Sequence, residues 1–280
     1  MDPARVALRD VGRTGRLELV FDRRGGRTVL AHQYAEPPLR IGSTFVADEV
    51  ASLILVCAGP GIFAGDTLRQ SVHVQRGARV VLASQSALQV HPSAADAPAR
   101  IAHAYRVDEG GELHCHWDAL IPFADARVEQ RFDIDVAAGG RLYWSDALMS
   151  GRASRGETWR FARVAHELRV RVAGTLVYLE RYGIAPAERG VTRPWIAGPE
   201  QYFGTSIVCH PDATADAADA LQHRFEEHAD VEAAADAVAD GVLLVRLASA
   251  SGAAFAAARD AVRQTAAAEI FRLPALANRR

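Results

Sequence analysis

The residues best placed to do chemistry in this chain are a glycine cluster that ends in an aspartate and a histidine pair on a strand. Gly59-Pro60-Gly61-Ile62-Phe63-Ala64-Gly65-Asp66 is the densest run of glycines. A dinucleotide-binding turn needs G-x-G-x-x-G opening a helix. Here the spacing is G-x-G-x-x-x-G, and Thr67 to Val74 alternates as a strand. The cluster therefore reads as a multi-residue turn, which accounts for the glycines but not for Asp66. His114-Cys115-His116 puts two imidazoles on one face of a strand, Cys115 on the other, and Asp118 further along the histidine face. Such a pair can hold nickel, copper or zinc with one more ligand. No third ligand is evident nearby, so a partly exposed strand face is the plainer reading.

Other chemistry is excluded outright. The chain contains no lysine, so all 32 basic residues are arginine. A Gly-Lys-Ser/Thr phosphate loop and a Schiff-base lysine are both impossible. Gly-x-Ser-x-Gly, H-E-x-x-H, an EF-hand loop and C-x-x-C are also missing from the sequence. Pro92, Ser93, Asp96 and Pro98 mark a connecting loop. Cys57, Cys115 and Cys209 lie far apart, and an odd count suits a reducing compartment. A net charge of −2 gives no bulk attraction to nucleic acid or an anionic membrane. No apolar run has the length of a membrane span, and the first residues lack the apolar core of a signal peptide. The expectation is a cytoplasmic protein without nucleic-acid or membrane partners.

The elements that must position these residues repeat. Val74-Gln75-Arg76-Gly77-Ala78, Val107-Asp108-Glu109-Gly110-Gly111 and Val136-Ala137-Ala138-Gly139-Gly140 each lead into an apolar run, and Val170-Arg171-Val172-Ala173-Gly174 is a looser fourth copy. Before these turns the residues alternate: Val128, Gln130, Phe132, Ile134 and Val136 point one way, charged residues the other. A hairpin-like unit recurring about every 30 residues predicts stacked β layers, because one such unit cannot bury its apolar face alone. Leu17 to Phe21 with Gly25-Gly26 reads as an earlier strand and turn of the same kind. The fold class is mainly β: a β-helical, stacked-strand body over about residues 13–210, and a helix–strand–helix tail over about 211–273, in one domain spanning 1–280. The tail helices are predicted at about Ala213 to Glu227 and Ala253 to Phe271, with a strand at Gly241 to Leu247. Weak order is expected at residues 1–12 and 274–280.

One ordered series of short motifs resembles a known family, the urease accessory protein UreD, also called UreH. It runs Gly65-Asp66, Arg76-Gly77-Ala78, Ser84-Gln85-Ser86-Ala87, Ile121-Pro122-Phe123, Gln130, Trp144, Gly151-Arg152 with Gly156-Glu157, and Glu180-Arg181. Departures include Gly59-Pro60-Gly61 where the family has Gly-Gly, Gln89-Val90 for Lys-Val, and Trp144-Ser145, with Asp146 next, for Trp-Glu. The resemblance implies a β-helical fold with two helices. It further implies a non-enzymatic scaffold for GTP-dependent nickel insertion into apo-urease, binding apo-urease and UreF and, through UreF, the GTPase UreG. Nickel would be transient, crossing an internal polar passage, with no permanently bound cofactor. By motif position Asp66 and Glu180 are the implied nickel carboxylates. Gly65, Gly77, Gln85, Gly110, Gly139, Gly151, Arg152, Glu157 and Arg181 are motif or structural residues. A local Glu180–Arg181 ion pair is an equal alternative, and the helical tail is expected to help dock UreF through its apolar positions. A repeat-β enzyme or carbohydrate-binding module stays open. The enzyme would show a deep pocket with paired carboxylates or shifted pKa values, and the sugar binder a row of exposed aromatics.

Overall fold

The computed structural model of the chain describes residues 12–47, 49–93, 97–193, 196–225 and 230–273. The expected weak ends, Gly12 apart, lie outside the described residues, as do Asp96 and Glu227. The alternating segments form strands with one parity buried. They are β1 (Thr14–Arg24), β2 (Arg27–Ala35), β3 (Leu39–Ala47), β4 (Val50–Cys57), β5 (Thr67–Val74), β6 (Arg79–Ser84), β7 (Leu88–Val90), β8 (Ala99–Val107) and β9 (Glu112–Pro122). Next come β10 (Arg127–Val136), β11 (Arg141–Met149), a ribbon of β12 (Gly151–Arg152) and β13 (Glu157–Thr158), then β14 (Arg163–Val172), β15 (Thr175–Ile184) and β16 (Tyr202–Cys209). The chain continues with α1 (Ala215–Phe225), β17 (Glu232–Ala239), β18 (Val242–Ser249), α2 (Gly252–Thr265) and a π-helical turn at Ala266–Ile270.

Successive strands alternate between two sheets. Sheet A is ordered β15-β14-β10-β8-β5-β1-β2; sheet B is ordered β17-β18-β16-β11-β9-β6-β4-β3, with β7 beside β9. In sheet A, β1, β5, β8, β10 and β14 are parallel neighbours; in sheet B, β4, β6, β9 and β11 are. The body is thus a two-sheet β-solenoid with antiparallel strands at each end of both sheets.

The repeat is real, but its turns are corners and not hairpins. Gly77, Gly110 and Gly139, with φ of 70°, 68° and 72°, stand where the chain crosses from sheet A to sheet B. That left-handed backbone suits glycine. Stacked corners are joined by Asp108 N–H to Val74 O (2.9 Å) and Ala137 N–H to Val107 O (2.8 Å). Gly25-Gly26 and Ala173-Gly174 are true hairpins, each keeping its two strands in sheet A. The fourth copy is accordingly offset: Val172, and not Val170, pairs with Val136.

Inward residues of both sheets make the main core, with Phe21, Leu82, Tyr105, Leu113 and Trp144 fully buried. Burying side chains of this size contributes about 1.5–3 kcal/mol each and holds the coils together. A second core lies on the outer face of sheet B. There Leu221 and Phe225 of α1 and Phe255, Ala258 and Val262 of α2 pack on Leu243, Val245 and Leu247. Ser251 caps α2 by accepting from Ala254 N–H. The tail differs from expectation in one element. Glu232–Ala239, rich in alanine, is a strand because it pairs with β18, and tertiary pairing overrides alanine's weak strand preference. The tail's strands therefore extend sheet B.

Candidate functional site

The space between the sheets is not filled. A cavity of about 1010 Å³ runs along the stack, from Gly59–Gly61 and Gln85 at one end to Glu180 and Arg246 at the other. Strands stand about 4.8 Å apart, so the four steps from β5 to β15 span roughly 20 Å.

Sheet A lines this cavity with polar residues at positions that the alternation assigns to the core. Gln70 and His103 are in register on β5 and β8, as are Gln130 and His166 on β10 and β14. Tyr105 Oη accepts from Gln70 Nε2 at 3.1 Å and lies 3.1 Å from His103 Nδ1. Burial drives His103 down to about 3, so its ring is neutral. His166 Nδ1 stands 3.5 Å from Gln130 Oε1, and the ring stacks on Tyr182 at 4.7 Å. With Gln130 Oε1 accepting from Nδ1–H, Nε2 is the ring nitrogen of His166 left over. His103 Nε2, His166 Nε2 and Trp117 Nε1 are buried and have no hydrogen-bond partner among the described residues. Each unpaired polar atom costs about 1–3 kcal/mol, so three around one cavity, two on sheet A and Trp117 on sheet B, suit a polar cargo.

Sheet B contributes through a β-bulge. Trp117 and Asp118 of β9 together oppose Asp146 of β11, between the pairs Ser145–His116 and Ala147–Ala119. Arg259 of α2 pins it, donating from Nη2 to Trp117 O (2.7 Å) and Ser145 Oγ (3.0 Å). Asp146 lines the cavity, and burial pushes its carboxyl up; His166 opposes the shift and the charge of Glu180 adds to it. Asp146, Thr205 and Arg246 form one row across β11, β16 and β18. Opposite them, Glu180 of β15 accepts from Arg246 Nη1 at 2.7 Å, Tyr178 Oη at 3.2 Å and Thr205 Oγ1 at 3.3 Å.

The residues singled out in the sequence fall in different places. Glu180 and Gln85 line the cavity, and Arg181 joins them at the rim. Glu180 does not pair with Arg181, because neighbours on a strand face opposite ways. Arg181 Nε instead donates to Glu167 Oε2 at 2.6 Å. Asp66 is buried at the end of the Phe63–Asp66 turn, outside the cavity lining. Its Oδ1 accepts from Arg13 N–H (2.8 Å) and its Oδ2 from Phe63 N–H (2.9 Å). It still reaches the cavity electrostatically: burial raises the thiol of Cys57, a lining residue, and the charge of Asp66 raises it further. Gly151, Arg152 and Glu157 brace a loop away from the cavity. A Cβ on Gly151 would stand 2.0 Å from Glu157 O, and Arg152 Nε donates to Glu157 at 2.7 Å with its guanidinium 3.9 Å over the Phe123 ring.

Three expectations change. The histidine face of β9 is more covered than expected: the C-terminal helical segment buries His114 and leaves His116 half-buried. His114 is 3% exposed, bonded to Glu112 Oε1 at 3.0 Å and packed 4.4 Å from Phe271. The bulge takes Asp118 off that face, to a bond from Ser84 Oγ at 3.1 Å. The larger apolar side chains of the tail helices are buried on sheet B, so the face these helices leave outward carries alanines and polar residues. Among the described residues no three His, Cys, Asp or Glu side chains are grouped to hold a metal ion. Of the rival marks, the deep pocket and a shifted carboxyl at Asp146 are present. Both Glu180 oxygens are engaged, however, and the exposed aromatics Tyr34, Phe45 and Phe63 sit on separate elements. Sequence reading missed His103, His166, Thr205 and Arg246. The first two carried a visible signal, a polar residue at inward parity in an alternating strand.

Fold and site together define a two-sheet β-solenoid around a cavity of mixed apolar and polar lining, with no closed metal cage among the described residues. Residues 13–280 match the family model described as UreD urease accessory protein. The urease accessory protein UreD of Sorangium cellulosum (strain So ce56) is 34% identical over 246 residues, 87% of this chain and 77% of that protein. The UreD of Deinococcus radiodurans is 31% identical over 72% of this chain and 73% of its own length. That of Trichodesmium erythraeum (strain IMS101) is 33% identical over 52% of this chain and 54% of its own. The chain belongs to the UreD family of urease accessory proteins. No helix among the described residues is long and apolar enough to cross a membrane.

Proposed function

We propose that the protein is a non-enzymatic cytoplasmic scaffold for GTP-dependent nickel insertion into apo-urease. It binds apo-urease and UreF, and UreF brings the GTPase UreG into the same complex. Nickel crosses the cavity between the sheets as cargo, and no cofactor stays bound. The observation that carries this reading is the convergence of Asp146, His166 and Glu180 on one end of the cavity, near enough for charge to act between them but, among the described residues, not grouped as a three-ligand cage. Imidazole nitrogen and carboxylate oxygen both suit a borderline dication such as Ni(II), and a closed high-affinity site would trap the ion. Glu180 serves one end of the path. Asp66 serves the Gly59–Gly61 end, with lone pairs left over from its two amide bonds.

The test is the nickel content of urease purified from cells carrying Glu180→Gln or Asp66→Ala, with accessory protein levels matched. Glu180→Gln is expected to lower nickel per active site at least tenfold, and Asp66→Ala less, since part of its effect is on the turn. Normal nickel content and urease activity in both variants would sink the proposal.

A further inference from the structure

We infer that Arg246 gates the cavity: its guanidinium occupies Glu180 in the place of a divalent cation and must swing out before the carboxylate accepts one. The inference rests on the cavity carrying a metal ion, and it assigns the control of that step to a residue outside the motif series.

The pair joins the two sheets. Glu180 belongs to β15 at the edge of sheet A, Arg246 to β18 of sheet B, and their 2.7 Å contact spans the end of the cavity. The partners are unequal in burial, with side-chain exposures of 5% for Glu180 and 49% for Arg246. The carboxylate is the fixed member. Tyr178 and Thr205 both donate to Oε2, and the guanidinium takes Oε1. The arginine is the movable member: its other bond is a long one to Thr205 Oγ1 at 3.4 Å, and half of its side chain already meets water. A guanidinium stays charged at any physiological pH, so it competes with incoming cations at all times. Its departure to solvent recovers hydration, whereas Glu180 has no such route.

Competition of this kind suits transfer better than a bare carboxylate does. A buried carboxylate without a countercharge takes up a proton or holds the first dication it meets. A site open for only a fraction of the time has its apparent affinity lowered by that fraction. A pair closed about 90–99% of the time therefore weakens cation binding roughly 10- to 100-fold. Closure behind a departing ion also restores the ion pair, which favours onward movement over return.

Ni(II) binding to the full-length chain, measured by competition with a chromophoric chelator, tests the gate. Arg246→Gln is expected to tighten binding at least tenfold and to slow release to the chelator, while Arg246→Lys stays near wild type. In a Glu180→Gln background, Arg246→Gln should change nothing. The gate is overturned if Arg246→Gln, folded by circular dichroism, binds Ni(II) no tighter than wild type, or tightens binding equally without Glu180. Arg246→Met, which keeps the apolar stem, replaces the glutamine variant should that chain not fold. The two ideas fail separately. If Glu180→Gln leaves Ni(II) binding and urease loading unchanged, the passage itself falls. If it lowers both while Arg246→Gln fails to tighten binding, only the gate falls.

Discussion

The molecule holds two pairs of buried or half-buried histidines, and they are opposites. His114 and His116 sit two residues apart on β9, on the face that the C-terminal helical segment covers. His103 and His166 sit 63 positions apart in sequence (103 to 166), on strands of the same sheet, and both line the cavity. His114 bonds Glu112, which also takes Arg141 Nη1 at 3.4 Å, and His116 packs 4.9 Å from the Tyr143 ring. His103 and His166 each keep an Nε2 without a partner among the described residues. Each pair has one buried and one half-buried ring, so burial does not mark function. What separates them is a buried ring nitrogen without a partner, which His103 and His166 each keep and neither β9 histidine does among the described residues.

The sharpest way to break this contrast is Glu112→Ala. It leaves His114 and Arg141 around an emptied buried position, and truncating one member of a buried charge network costs about 3–5 kcal/mol. Urea unfolding should show that loss, and Ni(II) affinity of the folded fraction should be unchanged. A cost under about 1 kcal/mol would mean that the covered pair is not a structural unit.

Acid titration gives a smaller, graded effect. Burial pushes His103 from 6.5 to about 3, and His116 well below its ordinary value. Between about pH 6 and 4 the unfolded chain therefore binds protons that the folded chain refuses. Stability falls as pH falls, by about 1.4 kcal/mol per pH unit for each such histidine. His103→Gln should remove one share of that slope in unfolding experiments across this range, and an unaltered slope would contradict a buried neutral His103. Glu112 acts at lower pH. Burial raises its carboxyl, but the bond and charge of His114, with Arg79 and Arg141, more than offset this and hold it below the usual range. Its stabilisation is present above the ordinary carboxylate range and is lost as pH falls through the lowered value.

The strands were legible in the sequence because alternation is local, and so were the glycine corners, because a left-handed turn limits the residues that fit. Register between coils was not. Nothing near Val170 shows that Ala173-Gly174 closes a hairpin and shifts the pairing to Val172. The same limit hid the site. Glu180 meets Arg246 across 66 residues, and Asp146 reaches the cavity through a bulge visible only once β9 and β11 are paired. His114-Cys115-His116 drew notice because its histidines are close in sequence, yet its face belongs to the helices. The useful signal was quieter: Gln70, His103, Gln130 and His166 all occupy inward positions of alternating strands, and stacking brings them onto one wall.

The finest test of the contrast is His166→Leu. The substitution removes an Nε2 that has no partner among the described residues and a long Nδ1 contact of 3.5 Å to Gln130. It also removes a stack on Tyr182. Relief of an unpaired buried atom is worth about 1–3 kcal/mol, and the lost stacking costs about 0.5–1.5 kcal/mol. The net change in stability should lie between about 0.5 kcal/mol destabilising and about 2.5 kcal/mol stabilising. Ni(II) binding should nevertheless weaken severalfold, because an imidazole donor is gone from the path while Asp146 and Glu180 remain. His114→Leu should do the reverse: it strands Glu112, lowers stability and leaves Ni(II) binding alone. If His166→Leu instead destabilises the chain as strongly as Glu112→Ala does, or leaves Ni(II) binding unchanged, the two histidine pairs are not different in kind.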